Sequence, residues 1–124
     1  MGSGMITGLL SSCAPYDVYE TVMEKSKIVV PVSSFAGKDI KIIRAKNLDY
    51  DIALRKMKDG SFTALLLRCT HASNPLKYTG SEFFCSLHGS TFDLKGNVIE
   101  GPAVHSLRKY ETVVTGNNIV IIID

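Results

Sequence analysis

From Lys27 onward the apolar positions fall in short runs separated by turn residues, a pattern of strands. "KIVVPV" (27–32) and "DIKIIRA" (39–45) read as two strands, and "DIALRKM" (51–57) alternates Ile52 and Leu54 with Asp51 and Arg55 at period two. Asp59-Gly60 predicts a turn into "FTALLLR" (62–68), completing a hairpin. Three successive leucines, Leu65 to Leu67, predict burial on both faces of that strand. Downstream, "STFDLKGNVIEG" (90–101) reads as a small hairpin turning at Lys95-Gly96-Asn97, and "RKYETVVT" (108–115) and "NIVIIID" (118–124) as two strands around Gly116-Asn117. Only residues 14–25, "APYDVYETVMEK", are compatible with helix, Pro15 suiting a first turn; a tether or a single turn is expected there. The prediction is an all-β fold of two hairpin-built antiparallel sheets with a pair of loops inserted between strands.

The length, 124 residues, fits one domain with a modest core, too small for a catalytic domain beside a second cofactor domain. With 14 Lys and Arg against 12 Asp and Glu, no run of either sign gives a nucleic-acid footprint, so charge names no partner. The N-terminus reads in two layers. "MGSG" (1–4) has the look of an expression scar, and residues 5–25 that of a trimmed signal segment and tether, leaving 26–124 as the folded domain. Leu10-Ser11-Ser12-Cys13 resembles a bacterial lipoprotein signal, in which the cysteine carries the lipid. On that reading Cys13 anchors the protein at the periplasmic face of a membrane; otherwise it is a tail thiol and the protein is cytoplasmic.

The scarce donor chemistry is concentrated in one stretch, "CTHASNPLKYTGSEFFCSLHGSTFD" (69–93), which holds two of three cysteines and two of three histidines. Side chains two apart on extended backbone point the same way, so Cys69 and His71 can reach one site while Thr70 points away. Cys85 and His88 do the same from a tighter turn, and two such loops facing each other form a Cys₂His₂ site suited to zinc or an iron-sulfur cluster. Zinc knuckles usually segregate cysteines from histidines. Here each knuckle is mixed, which fits a binuclear cluster better, with two cysteines on one iron and two histidines on the other.

At these residues the chain resembles the Rieske 2Fe-2S proteins, whose pattern is C-x-H, a spacer, then C-x-x-H-G-S. It reads Cys69-Thr70-His71, a spacer over 72–84 shorter than in many members, then Cys85-Ser86-Leu87-His88-Gly89-Ser90. The likeness extends upstream through "DGSFTALLLRCTH" and downstream through "FDLKGNVIEGPA", where Gly101-Pro102-Ala103 resembles the family's proline loop. The resemblance implies a cluster-binding part at about 69–104, with Cys69 and Cys85 on the buried iron and His71 and His88 on the outer one. It also implies that Leu87, Gly89, Ser90 and Pro102 surround the cluster. High-potential members carry an extra cysteine in each loop, joined as a disulfide, at places matched here by Asn74 and Leu87. They also have a serine after H-G that donates to a bridging sulfide, and two residues later a tyrosine that reaches a ligand cysteine. Ser90 is retained, while Phe92 replaces the tyrosine and reads as a hairpin core residue.

The implied activity is one-electron transfer by a small carrier, working with a redox partner protein at an intermediate potential. The mononuclear iron of Rieske oxygenases needs two more histidines and a carboxylate. His105 alone remains, and it reads as a solvated loop residue. The rivals are a zinc-held structural module and an accessory subunit of a larger oxidoreductase.

Overall fold

The computed structural model describes residues 18–124. Eleven strands follow in chain order: β1 Val18–Thr21, β2 Lys27–Pro31, β3 Ile40–Ala45, β4 Ile52–Lys56, β5 Phe62–Leu66, β6 Lys77–Tyr78, β7 Phe83–Phe84, β8 Thr91–Phe92, β9 Val98–Glu100, β10 Lys109–Thr115 and β11 Asn118–Ile122. A 3₁₀ turn at Val32–Phe35, absent from the sequence expectation, buries Phe35. The strands form a seven-stranded sheet ordered β1-β3-β4-β5-β10-β11-β2 and a four-stranded sheet ordered β6-β7-β8-β9. The fold is all-β, as expected.

The predicted hairpins form. β4 and β5 pair antiparallel from Ile52 opposite Leu66 to Lys56 opposite Phe62. Their turn is fixed by Asp59, whose Oδ1 accepts from the Ser61 amide and hydroxyl, and by Gly60 at a φ of 91°. Those two hydrogen bonds hold the Asp59 carboxyl below its ordinary range. β10 and β11 meet at Thr115 opposite Asn118, around Gly116-Asn117.

Residues 18–21 correct the expectation of a tether or single turn. They form β1, which lies parallel to β3 with Val18 opposite Ile42 and Thr21 opposite Ala45. The free edge of β3 offers unpaired backbone groups, and that pairing outweighs the weak local preference of so short a segment. Asn47 latches the exit of the strand, its side chain accepting from the Met23 amide and donating to the Met23 carbonyl. The "MGSG" and Leu10-Ser11-Ser12-Cys13 readings, and Pro15, lie outside the described residues.

The leucine run explains how the site is supported. Strands β3, β4 and β5 bury both faces, because alternation sends successive side chains to opposite sides. Ile43, Ile52, Leu54, Ala64 and Leu66 join one core with Ile28, Val30, Ile119 and Ile121. Ile42, Ala53, Leu65 and Leu67 join a second core with Cys69, Leu76, Phe83, Cys85, Phe92, Ala103 and Leu107. The second core is the floor of the two Cys- and His-bearing loops, and each large apolar side chain buried there contributes about 1.5–3 kcal/mol. The loop-bearing segment leaves the sheet after β5 and returns at β10, its neighbour. Leu66 N–H donates to the Arg108 carbonyl at 2.9 Å, and Lys109 pairs with Leu65, so the insertion is clamped at its base.

Candidate metal centre

Each candidate ligand loop opens on a cysteine, and the two loops are the same turn built twice. Cys69 N–H donates to the Asn74 carbonyl five residues on, at 2.8 Å, and its own carbonyl accepts from Ser73 N–H at 2.9 Å. Cys85 N–H donates to the Ser90 carbonyl, again five residues on, at 2.9 Å, and its carbonyl accepts from Gly89 N–H at 3.0 Å. The fourth residue after each cysteine has left-handed backbone, Ser73 at a φ of 53° and Gly89 at 85°. Glycine adopts this without a side-chain clash. Ser73 is held there by Tyr50 Oη, which donates to its carbonyl at 2.8 Å, and by Arg68 Nη2, which donates to its Oγ at 2.7 Å.

This paired geometry sorts the four donors. The thiols of Cys69 and Cys85 are 1% and 0% exposed, in the second core, with the Cys69 side chain within hydrogen-bonding reach of Cys85. The His71 and His88 side chains stand exposed, their ring centroids 5.4 Å apart and inclined by 75°. Burial pushes the Cys85 thiol up, but N–H donors of Leu87 and His88, the Cys69 side chain and the Asn74 amide outweigh it, so its pKa lies below the ordinary value. These donors favour a thiolate. Among the described residues no group of three or more His, Cys, Asp or Glu stands where it could hold a metal ion; the two cysteines are buried and the two imidazole rings stand together at the surface. A binuclear cluster with a buried, thiolate-bound end and an exposed, imidazole-bound end fits this donor set.

The surrounding residues fall into two groups. Ser90 is 0% exposed, and its Oγ accepts from Ala103 N–H at 3.0 Å, which leaves the hydroxyl hydrogen to donate. Phe92 is buried in the second core, opposite Phe83 across the β7–β8 pair, as a hairpin core residue should be. Leu87, next to His88 in sequence, is 55% exposed, and Pro102 follows a cis Gly101–Pro102 bond on an exposed turn. His105 contributes its carbonyl, which accepts from Thr70 Oγ1 at 2.7 Å, while its side chain is exposed. Thr70 and Ser90 thereby pin residues 103–105 across both loops.

Two contributors were missed in the sequence. On sequence alone Thr70 only points away, yet it ties the first loop to the segment after Pro102. On sequence alone Asn74 is only a place without a cysteine, yet its Nδ2 lies 3.7 Å from Cys85 Sγ in the other loop. The equal offset of Asn74 and Ser90 from their cysteines was the available signal.

The chain is similar to known proteins. A family model of the Rieske [2Fe-2S] domain matches residues 25–111. The cytochrome b6-f complex iron-sulfur subunit of Chlorobaculum thiosulfatiphilum is 32% identical over 66 residues, which are 52% of this chain and 36% of that protein. The chain thus matches only about a third of that relative's length. Among solved structures, the plasma membrane Rieske protein PetC3 of Synechocystis PCC 6803 is similar at a TM-score of 0.62 and 26% identity, over 76% of this chain and 97% of that one. The ferredoxin of carbazole 1,9a-dioxygenase from Nocardioides aromaticivorans shares the fold at a TM-score of 0.55 and 22% identity, over 81% of this chain and 100% of that one.

Proposed function

The chain belongs to the Rieske 2Fe-2S domain family, and we propose that it is a small one-electron carrier whose cluster is held by Cys69 and Cys85 at the buried iron and by His71 and His88 at the outer iron. A Rieske-type cluster and electron transfer in general come with the family; the ligand assignment rests on one observation, the duplicated turn that buries two thiols together and leaves two imidazoles together at the surface. When bound, the cluster supplies a reversible one-electron couple. The chain's residues supply the rest. The second core keeps water from the thiolate end, the N–H donors around Cys85 stabilise its negative charge, and Ser90 holds Ala103 over the site. Gly89 provides the left-handed turn that closes the second loop, its N–H donating to the Cys85 carbonyl.

The exposed imidazoles, with the exposed Leu87 next to His88 in sequence, suit brief docking of a redox partner. The lipobox-like Leu10-Ser11-Ser12-Cys13 favours a membrane-anchored carrier over a cytoplasmic ferredoxin, and the likeness to a plasma membrane Rieske protein supports that choice. A mononuclear zinc module is the second reading. It would draw on the same two cysteines and two histidines, and metal analysis separates the two readings.

The test is metal and sulfide analysis of protein purified under reducing, oxygen-free conditions, with Cys69→Ser and Cys85→Ser beside it. Two irons and two labile sulfides per chain are expected, lost in either variant. Zinc without sulfide would reject the cluster, and full cluster content in a cysteine variant would reject that ligand.

A further inference from the structure

Resting on this ligand assignment, we propose that the side-chain amide of Asn74 is a positioning residue for electron transfer: it donates an N–H···S hydrogen bond across the loops to Cys85 and raises the reduction potential, as the first-loop counterpart of Ser90.

Three observations carry it. The first is contact: Asn74 Nδ2 lies 3.7 Å from Cys85 Sγ, a distance suited to a sulfur acceptor, in a partly buried site. The second is orientation. The same nitrogen donates to the Pro75 carbonyl at 3.2 Å. An amide nitrogen has two hydrogens, so both bonds can be made at once. Turning the amide over would set its oxygen against the Pro75 oxygen and leave Cys85 without the donor, so the network selects nitrogen toward sulfur. The third is the duplicated turn: Asn74 and Ser90 each stand five residues after a cysteine and each accept that cysteine's N–H on their carbonyl. In one loop that position presents a hydroxyl, in the other an amide.

The chemical consequence follows from charge. In the transfer one electron passes into the site from a reduced partner protein, and no bond is made or broken, so the residues around Cys85 meet one added negative charge. A donor aimed at sulfur stabilises the more negative state and favours reduction. Asn74 also links the two loops without a covalent bond at the place where related high-potential proteins resemble this chain but carry a cysteine.

The experiment compares the holoprotein with Asn74→Leu, which keeps similar volume and removes both donors. Iron and sulfide content are measured first, then the midpoint potential by protein-film voltammetry. With cluster content unchanged, the equilibrium constant for reduction is expected to fall roughly three- to tenfold, which is about 30–60 mV for a one-electron couple. An unchanged potential in a fully loaded variant would overturn the role of Asn74 and leave the ligand assignment standing. If Asn74→Leu fails to assemble, the unsubstituted protein decides: with asparagine side-chain amides labelled with ¹⁵N, pulsed paramagnetic resonance of the reduced form should show a weakly coupled amide nitrogen. Its absence would overturn the proposal. Zinc in place of iron and sulfide in the unsubstituted protein would overturn the ligand assignment and this proposal together.

Discussion

Replacing Ser90 by alanine probes two bonds with one atom. Ser90 Oγ accepts from the buried Ala103 amide at 3.0 Å, and its hydroxyl hydrogen is the donor that the Rieske resemblance directs at a bridging sulfide. Ser90→Ala leaves the Ala103 N–H without a partner, a loss of about 1–3 kcal/mol in unfolding free energy. It also removes a hydrogen bond to a charged acceptor, worth about 1.5–3 kcal/mol. If half of that distinguishes reduced from oxidised, the potential falls by about 30–65 mV. Ser90→Thr separates the effects. It keeps the hydroxyl but adds a methyl group to a fully buried position, so it should lose about 1–3 kcal/mol by overpacking while the potential stays near that of the parent. Denaturant melts and voltammetry on the loaded proteins read the two quantities independently. If Ser90→Ala destabilises the fold while its potential equals the parent's, the hydroxyl serves Ala103 alone and the assigned role is wrong.

Phe92→Tyr should raise the potential by some tens of millivolts, about the worth of one N–H or O–H donor to thiolate; no rise in a fully loaded variant would mean that residue 92 faces neither Cys69 nor Cys85. Gly96→Ala should destabilise the protein by about 1 kcal/mol or more in a thermal melt, because Gly96 has a φ of 90° and a Cβ there would meet Leu65 Cδ2 at 3.0 Å. On the lipobox-like reading of Cys13, full-length protein made with its native leader should partition into membranes and be released by Cys13→Ser; recovery of the unmutated protein wholly in the soluble fraction would discard that reading and leave the cytoplasmic ferredoxin in front.

The strands and the candidate ligands were legible because each left a local signal. Leu65 to Leu67 announced a strand with two buried faces, and the two cores now seen on either side of β5 are what that run encodes. The Cys69-x-His71 and Cys85-x-x-His88 spacings pointed to the four candidate donors. What escaped notice depends on partners distant in sequence. Residues 18–21 become a strand only because β3 presents a free edge, and nothing within "VYET" states it. Thr70 meets the carbonyl of His105, and Asn74 meets the sulfur of Cys85, only once the two loops and the turn after Pro102 have been brought together. Polar side chains of this kind carry no periodicity.

The central claim is that two imidazoles and two thiolates hold one binuclear cluster, and histidine ligation is its most exposed part. Pulsed paramagnetic resonance of the reduced protein, with histidine nitrogens labelled with ¹⁵N, measures it directly. Two strongly coupled histidine nitrogens are expected in the parent, with the signal of intact ligation lost in both His71→Ala and His88→Ala and unchanged in His105→Ala. A cluster signal without coupled histidine nitrogen, or one that survives His71→Ala or His88→Ala intact, would contradict the account.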